Sequence, residues 1–255
     1  MIDIKQNLFK RALAEGRQQV GLWSTLSSPT SAEIIASAGF DWLLFDSEHS
    51  PVDVPRLIDI LRAATAANHA AVRVPWNDKV MIKRALDIGA QTIFAPFVQT
   101  AEEAAAAVQA TRYPTDGIRG VSAGTRAGGY GRIPDYLNKA NAEICVIVQV
   151  ETREALDQLE DIAAVPGVDG VFIGPSDLSA SFGYLGAPAH PEMQNVLQET
   201  VNRLQAVGMP AGILAGSAEQ ANQFLKWGYT FVAAGVDTTL FVHAVDDLRS
   251  SIKAE

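Results

Sequence analysis

Six short segments carry side chains able to do chemistry, and each lies at or just past the end of an apolar run. "GLWST" holds Trp23, "LLFDSEHS" holds Asp46, Glu48 and His49, and "VRVPW" holds Arg73. Gln99 follows "TIFAPF", Gln149 and Glu151 close "VIVQVET", and Asp177 follows "VFIG" in "IGPSDLS". Glu151 and Asp177 form the most suggestive pair. Two oxygen ligands, with no cysteine and with positions left for water, describe Mg²⁺ or Mn²⁺ better than a closed zinc site. Taken singly, each reads more plainly as a helix cap or first-turn carboxylate, Glu151 above all because Thr152 follows it. Together, with Gln149 beside them, they favour a metal.

Arg73 has apolar neighbours, and a buried guanidinium needs a partner because desolvating its charge alone is costly. It either pairs with Asp46 or Glu48 inside the fold, or clamps a substrate carboxylate or enolate. His49 lies three residues after Asp46, where a carboxylate could orient its ring. That arrangement suits a general base acting on a water or hydroxyl proton. His69 and His190 fall in loops or strand starts and His243 in the last helical period, so these read as structural or surface residues.

Side chains so far apart in sequence meet only if the elements before them converge. Eight strand-like runs alternate with helical periods: "VGLWST", "WLLFDS", "AAVRVP", "TIFAPF", "CVIVQV", "GVFIGP", "AGILAG" and "TFVAAG". These runs are apolar throughout, as in a parallel sheet covered on both faces. Eight such units predict a single (β/α)₈ barrel over residues 1–255, with its chemistry at the exits of the strands. Neighbouring exits stand about 4.8 Å apart, close enough for Glu151 and Asp177 to share one cation. An open doubly wound sheet would want a glycine-rich first turn, and "GLWSTLSS" is not one. One connection is unusually long: "GIRGVSAGTRAGGYGRIPDYLNKAN" precedes "ICVIVQV". Its Gly128, Gly129 and Gly131 suggest a movable lid, binding loop or interface arm.

The composition, 48% hydrophobic and 19% charged over 255 residues, is that of a well-filled globular chain. The single cysteine, Cys145, lies in an apolar run and reads as core. The start, "MIDIKQNLFKRALAEG", has no apolar signal core, and no apolar run approaches about 18 residues; the expectation is a soluble, cytoplasmic protein without a membrane partner. A net charge of −9 argues against a nucleic-acid surface. An anionic substrate would need local positive charge, from an arginine or a bound cation.

These segments, with "AVRVPWND", "ALDIGAQTIFAPFVQTAEEA", "RIPDYLNKAN" and "GVFIGPSDLSASFG" in the same order, resemble the HpcH/HpaI aldolase family along nearly the whole chain. The likeness is greatest to the branch acting on 4-hydroxy-2-oxo acids and 2-keto-3-deoxy sugar acids. The resemblance implies a class II lyase that cleaves a 4-hydroxy-2-oxo acid reversibly to pyruvate and an aldehyde. It implies a divalent cation (Mg²⁺, Mn²⁺ or Co²⁺) on Glu151 and Asp177, chelated by pyruvate, and an enolate stabilised by the metal and Arg73. By the same resemblance Asp46 and His49 handle protons through water, and Gln149 lies near pyruvate. The backbone of Gly174, Pro175 and Ser176 holds the carboxylate, and Leu214 lines the acceptor side. A hexamer exchanging its C-terminal helices is also implied, with Asp87 reaching a neighbouring subunit's site. The segment "SAGTRAGGYG" is variable ground, and acceptor choice is expected in such loops. Three alternatives compete: a citrate-lyase-β-like lyase of CoA esters, a phosphosugar barrel using the glycines of "ILAGS" and "AAGVD", and a non-catalytic barrel module.

Overall fold

The computed structural model describes residues 3–253. All eight apolar runs form strands: β1 (Gln19–Ser24), β2 (Trp42–Asp46), β3 (Ala70–Arg73), β4 (Thr92–Ala95), β5 (Cys145–Val150), β6 (Gly170–Ile173), β7 (Ala211–Leu214) and β8 (Phe231–Val236). Each pairs in parallel with the next, and β8 returns to β1, so the sheet closes into the expected barrel.

The helices are α1 (Leu8–Ala14), α2 (Pro29–Ala36), α3 (Val54–Ala63), α4 (Lys79–Asp87), α5 (Ala101–Thr111), α6 (Tyr136–Glu143), α7 (Arg153–Asp157), α8 (Leu159–Ala163), α9 (Pro175–Ser181), α10 (Pro191–Ala206), α11 (Ala218–Trp227) and α12 (Asp237–Ser251). Ser28, Asp53, Asp78, Thr100, Thr152 and Ser217 cap α2, α3, α4, α5, α7 and α11 by accepting a first-turn N–H, which satisfies donors the helix cannot. The cap after β5 is therefore Thr152 and not Glu151, leaving that carboxylate free for other work.

The helical stretch after β5 is broken into α7 and α8 at Gln158, whose ψ of 11° is not helical. The C-terminal helix starts at Asp237, immediately after β8. The long connection is no lid on this chain's own strand exits. It contains a one-turn helix (Gly129–Gly131) and α6, and it packs at the opposite end of the barrel. Arg119 fixes it there, lying 4.3 Å over the Tyr113 ring and donating to Asp87 Oδ1 at 2.9 Å. Arg126 donates to the carbonyl of Ile88 at 2.5 Å.

Inside the barrel, alternate strand residues point inward. Trp42, Leu44, Phe94, Ile147, Phe172 and Phe231 fill it, and α1 closes the N-terminal mouth with Phe9 and Leu13. The rings fit because glycines face them. A Cβ on Gly21 would stand 2.2 Å from Trp42, and one on Gly212 2.1 Å from Phe231. Cys145 is fully buried in this packing. Outward residues, chiefly Val, Ile and Ala, pack against the helices in a second, larger core. No helix among the described residues is long and apolar enough to cross a membrane.

Candidate active site

The inward-pointing series of each strand continues beyond the packed core, and there its character changes. On β1 the series Gly21, Trp23 leads to Thr25; on β2, Trp42 and Leu44 lead to Asp46; on β3, Ala71 leads to Arg73. On β5, Cys145 and Ile147 lead to Gln149 and Glu151. The strand exits thus carry polar side chains at positions that, one turn of the pleat deeper, hold core.

These residues line a cavity of about 210 Å³ at the C-terminal end of the barrel, formed by Trp23, Thr25, Asp46, His49, Arg73, Gln149, Glu151, Phe172, Gly174, Pro175, Ser176, Asp177, Leu214 and Val236. Of the candidate residues named from the sequence, all are there except Asp87, Glu48 and Gln99. Asp87 ends α4, is held by Arg119, and lies outside this chain's own cavity. Gln99 lies outside it too, accepting a bond from the Thr152 hydroxyl at 2.7 Å. Thr25, Phe172 and Val236 were not foreseen, although Thr25 and Phe172 follow directly from the period-two series. Asp237, at the start of α12, fixes Thr25 by accepting its N–H at 2.8 Å and the Ser24 hydroxyl at 2.7 Å.

Asp46 and Arg73 are register partners on β2 and β3 and meet in a bidentate pair. Nε donates to Oδ1 at 2.8 Å and Nη2 to Oδ2 at 2.6 Å. Arg73 Nη1 also lies 2.7 Å from Glu48 Oε2, and its guanidinium sits 4.7 Å over the Trp23 ring. Trp23 Nε1–H completes the arrangement with a 3.3 Å bond to Asp46 Oδ2. Burial pushes the Asp46 carboxyl up, but the bonds and charge of Arg73 outweigh it and hold the group below its usual range. Glu48 goes the other way, raised by burial that Arg73 only partly offsets.

The expectation that Asp46 orients the His49 ring is not met. Both Asp46 oxygens are taken by Arg73, Trp23 and the Glu48 N–H. His49 instead lies 4.0 Å from Glu48 Oε1 with its side chain 66% exposed. It stands at the cavity rim, free to turn toward a substrate.

Glu151 is 3% exposed. Its Oε1 accepts the Phe97 N–H at 2.7 Å and its Oε2 accepts from Gln149 Nε2 at 2.9 Å. Burial pushes its carboxyl up to about 7, opposed by the Phe97 N–H and reinforced by the nearby charges of Glu48 and Asp177. Gly174 caps α9 directly beneath it, and Asp177 sits in the first turn of that helix. That is the plain position considered from the sequence, and it also places Asp177 on the cavity wall. Gln149 Oε1 is buried with no hydrogen-bond partner. Among the described residues no three His, Cys, Asp or Glu side chains are grouped to hold a metal ion. Glu151 and Asp177 would offer two carboxylates, a donor set that fits a hard cation completing its shell with water and substrate oxygens.

A sequence profile of the HpcH/HpaI aldolase/citrate lyase family matches residues 19–244. The 4-hydroxy-2-oxo-heptane-1,7-dioate aldolase of Shigella boydii is 52% identical over 252 residues, 98% of this chain and 96% of its own. The Escherichia coli protein of the same name is 51% identical over the same shares. A solved HpcH/HpaI aldolase/citrate lyase family protein from Burkholderia cenocepacia superposes with a TM-score of 0.94 at 38% identity, covering 98% of this chain and 100% of that one. In sequence and in fold, this chain is a member of the HpcH/HpaI aldolase/citrate lyase family.

Proposed function

We propose that this chain is a divalent-metal-dependent lyase that cleaves 4-hydroxy-2-oxo acids reversibly to pyruvate and an aldehyde, with 4-hydroxy-2-oxoheptanedioate as the lead substrate. The observation that carries the metal is the cavity's charge. Three carboxylates (Asp46, Glu151 and Asp177) line the cavity with the single guanidinium of Arg73, which is itself paired with Asp46 and Glu48. Burial raises the Glu151 carboxyl, the charges of Glu48 and Asp177 add to the rise, and Arg73 only partly opposes it. Glu151 and Asp177 would hold Mg²⁺, Mn²⁺ or Co²⁺, and the ion, when bound, would supply Lewis-acid polarisation of the 2-oxo acid.

The remaining steps belong to the chain. Arg73, fixed by Asp46 and Trp23, sits ready to neutralise the charge that develops on the keto oxygen when the C3–C4 bond breaks. Gln149, whose buried Oε1 has no hydrogen-bond partner, lines the same cavity. Gly174 donates its N–H to the Val150 carbonyl at 3.3 Å and Pro175 has none, so the donor this segment would offer a carboxylate is the Ser176 N–H in the first turn of α9. His49 takes the C4-hydroxyl proton, through water, and returns it in the condensation direction. Trp23 and Leu214 form an apolar wall for the aldehyde portion. No lysine is among the residues lining the cavity, so a Schiff-base route lacks its amine.

The test is pyruvate release from a panel of 4-hydroxy-2-oxo acids, coupled to pyruvate binding with and without Mn²⁺. A chelator should abolish both, and Mn²⁺, Co²⁺ or Mg²⁺ should restore them. Turnover by a verified metal-free sample overturns the metal, and turnover of CoA esters alone replaces the substrate class. A helix-exchanged hexamer belongs to the same reading. It is supported by Leu240, Phe241, Val242, Val245 and Leu248, which α12 leaves exposed, and in it Asp87 would serve a neighbouring copy's site. A monomeric mass in solution would remove both.

A further inference from the structure

Glu151 depends on a donor that lies outside the cavity. Phe97, just past the end of β4, has φ +54°, a left-handed conformation that a bulky L-residue keeps only where its surroundings hold it. The outcome shows in its main chain. Phe97 N–H meets Glu151 Oε1 at 2.7 Å, and the following N–H, of Val98, meets the Gln149 carbonyl at 3.0 Å. Two successive amides therefore face the β5 exit, one on the carboxylate and one on the strand.

The Phe97 ring does not pack in the core. It stacks on Trp76, with centroids 5.6 Å apart and planes at 27°, and the two residues are 38% and 54% exposed. Trp76 belongs to the segment leaving β3 just after Arg73. That segment is anchored by Asp78 N–H to the Trp76 carbonyl at 2.8 Å and by Asn77 Nδ2 to the Glu103 carbonyl at 3.0 Å. Neither ring belongs to either hydrophobic core. Their contact joins the loop after Arg73 to the loop whose amide holds Glu151.

We propose that the stacked Trp76–Phe97 pair is a positioning device for Glu151. The ring contact keeps the Phe97 backbone in its left-handed turn, and the turn aims the N–H at Oε1. With Gln149 Nε2 on Oε2, each oxygen then has one fixed donor and presents its other lone pair to the cavity. This role rests on the reading of Glu151 as a metal ligand, and neither aromatic residue touches substrate.

The test measures Mn²⁺ binding directly, by the electron paramagnetic resonance signal of free Mn²⁺ in full-length protein without substrate. Trp76→Ala removes the stack, and Trp76→Phe keeps a ring in its place. A third protein carries the α-hydroxy-acid analogue of phenylalanine at position 97, which keeps the ring and deletes only the N–H. Trp76→Ala and the backbone ester should each weaken Mn²⁺ binding by about 10- to 100-fold, the usual cost of removing a partner that orients a metal ligand. Trp76→Phe should recover most of the affinity. Wild-type affinity in both Trp76→Ala and the ester, while Glu151→Ala loses binding, overturns the positioning role and leaves the ligand assignment standing. Wild-type affinity in Glu151→Ala sinks the ligand assignment itself. A Trp76→Ala protein of altered mass but unchanged affinity also overturns the proposal and gives the stack to a contact between copies.

Discussion

Gly174→Ala should disable the site while sparing the fold, because this glycine is required by the carboxylate above it and not by its own backbone. Its φ of −86° and ψ of 94° are open to any residue. A Cβ there, however, would stand 2.3 Å from Glu151 Oε2, 2.9 Å from its Cβ and 3.3 Å from its Cδ. Restoring an ordinary contact of about 3.5 Å moves the carboxylate by roughly 1 Å. Both of its bonds, 2.7 Å from the Phe97 N–H and 2.9 Å from Gln149, cannot survive that shift together. Misplacing a reacting group by about 1 Å costs on the order of 10²-fold in rate, or about 2.7 kcal/mol of transition-state stabilisation. The capping change from Gly to Ala at α9 should cost no more than about 1 kcal/mol of stability. Steady-state cleavage kinetics and a Mn²⁺ titration, beside a thermal melt, separate these effects. We expect a folded protein with kcat/KM down about 10²-fold and weakened Mn²⁺ binding. A folded variant with wild-type kinetics and Mn²⁺ affinity would refute the assignment of Glu151, and the cation would have to be held elsewhere.

Two further outcomes follow from other groups. Arg73→Lys keeps the charge but loses the planar fork, so aldol cleavage and exchange of pyruvate methyl protons with D₂O should fall together. His49→Ala should slow cleavage by about 10²–10⁴-fold and exchange much less; equal losses for both variants would erase the division of roles. His69 is buried at the foot of β3, its Nε2 2.7 Å from the Thr92 hydroxyl, and burial lowers it from 6.5 to about 4. As pH falls through that window the unfolded chain binds a proton that the native state refuses. Stability is therefore full above 6.5 and declines by about 3 kcal/mol toward pH 4. Urea denaturation at several pH values should show this slope flattened in His69→Gln, and parallel slopes in the two proteins would refute it.

The barrel was legible because its strands are buried on both faces and its helices open with cap residues, signals that are local. The site residues were legible in type but not in partnership. Asp46 and His49 are close in sequence and suggested a couple. β2–β3 register, which no local spacing encodes, gives Asp46 to Arg73 instead. Of the choice posed for Arg73, structural pair or substrate clamp, the pair with Asp46 and Glu48 is seen, and it opens onto the cavity, so it leaves the clamp available. Thr25 and Phe172 were overlooked because the strands were read as uniformly apolar; their inward alternation becomes visible only once Trp42 and Phe231 are seen filling the spaces beside Gly21 and Gly212. Phe97 had no sequence signal, since its contribution is an amide and a φ value. The fold of the long connection was missed for a related reason: its anchor, Arg119, is a buried charge in a glycine-rich segment.

The cavity an anionic substrate would enter is lined by three carboxylates, and its one guanidinium is already shared between Asp46 and Glu48. Two like charges about 4 Å apart cost roughly 4 kcal/mol at an effective dielectric near 20, so a few such encounters exceed what hydrogen bonds to a small keto acid return. On the proposed reading the cavity gains positive charge before the substrate binds, and a comparison of pyruvate binding with and without Mn²⁺ tests that order directly. The double claim on Arg73 is useful in the same sequence. Held by Asp46 through two bonds and faced by the Trp23 ring, the guanidinium need not reorganise as charge appears on the keto oxygen, and stabilisation by a group already in place is the kind that lowers a barrier. On the proposed reading, the ion pair that looked like a structural competitor to catalysis is what would hold Arg73 rigid enough to take part in it.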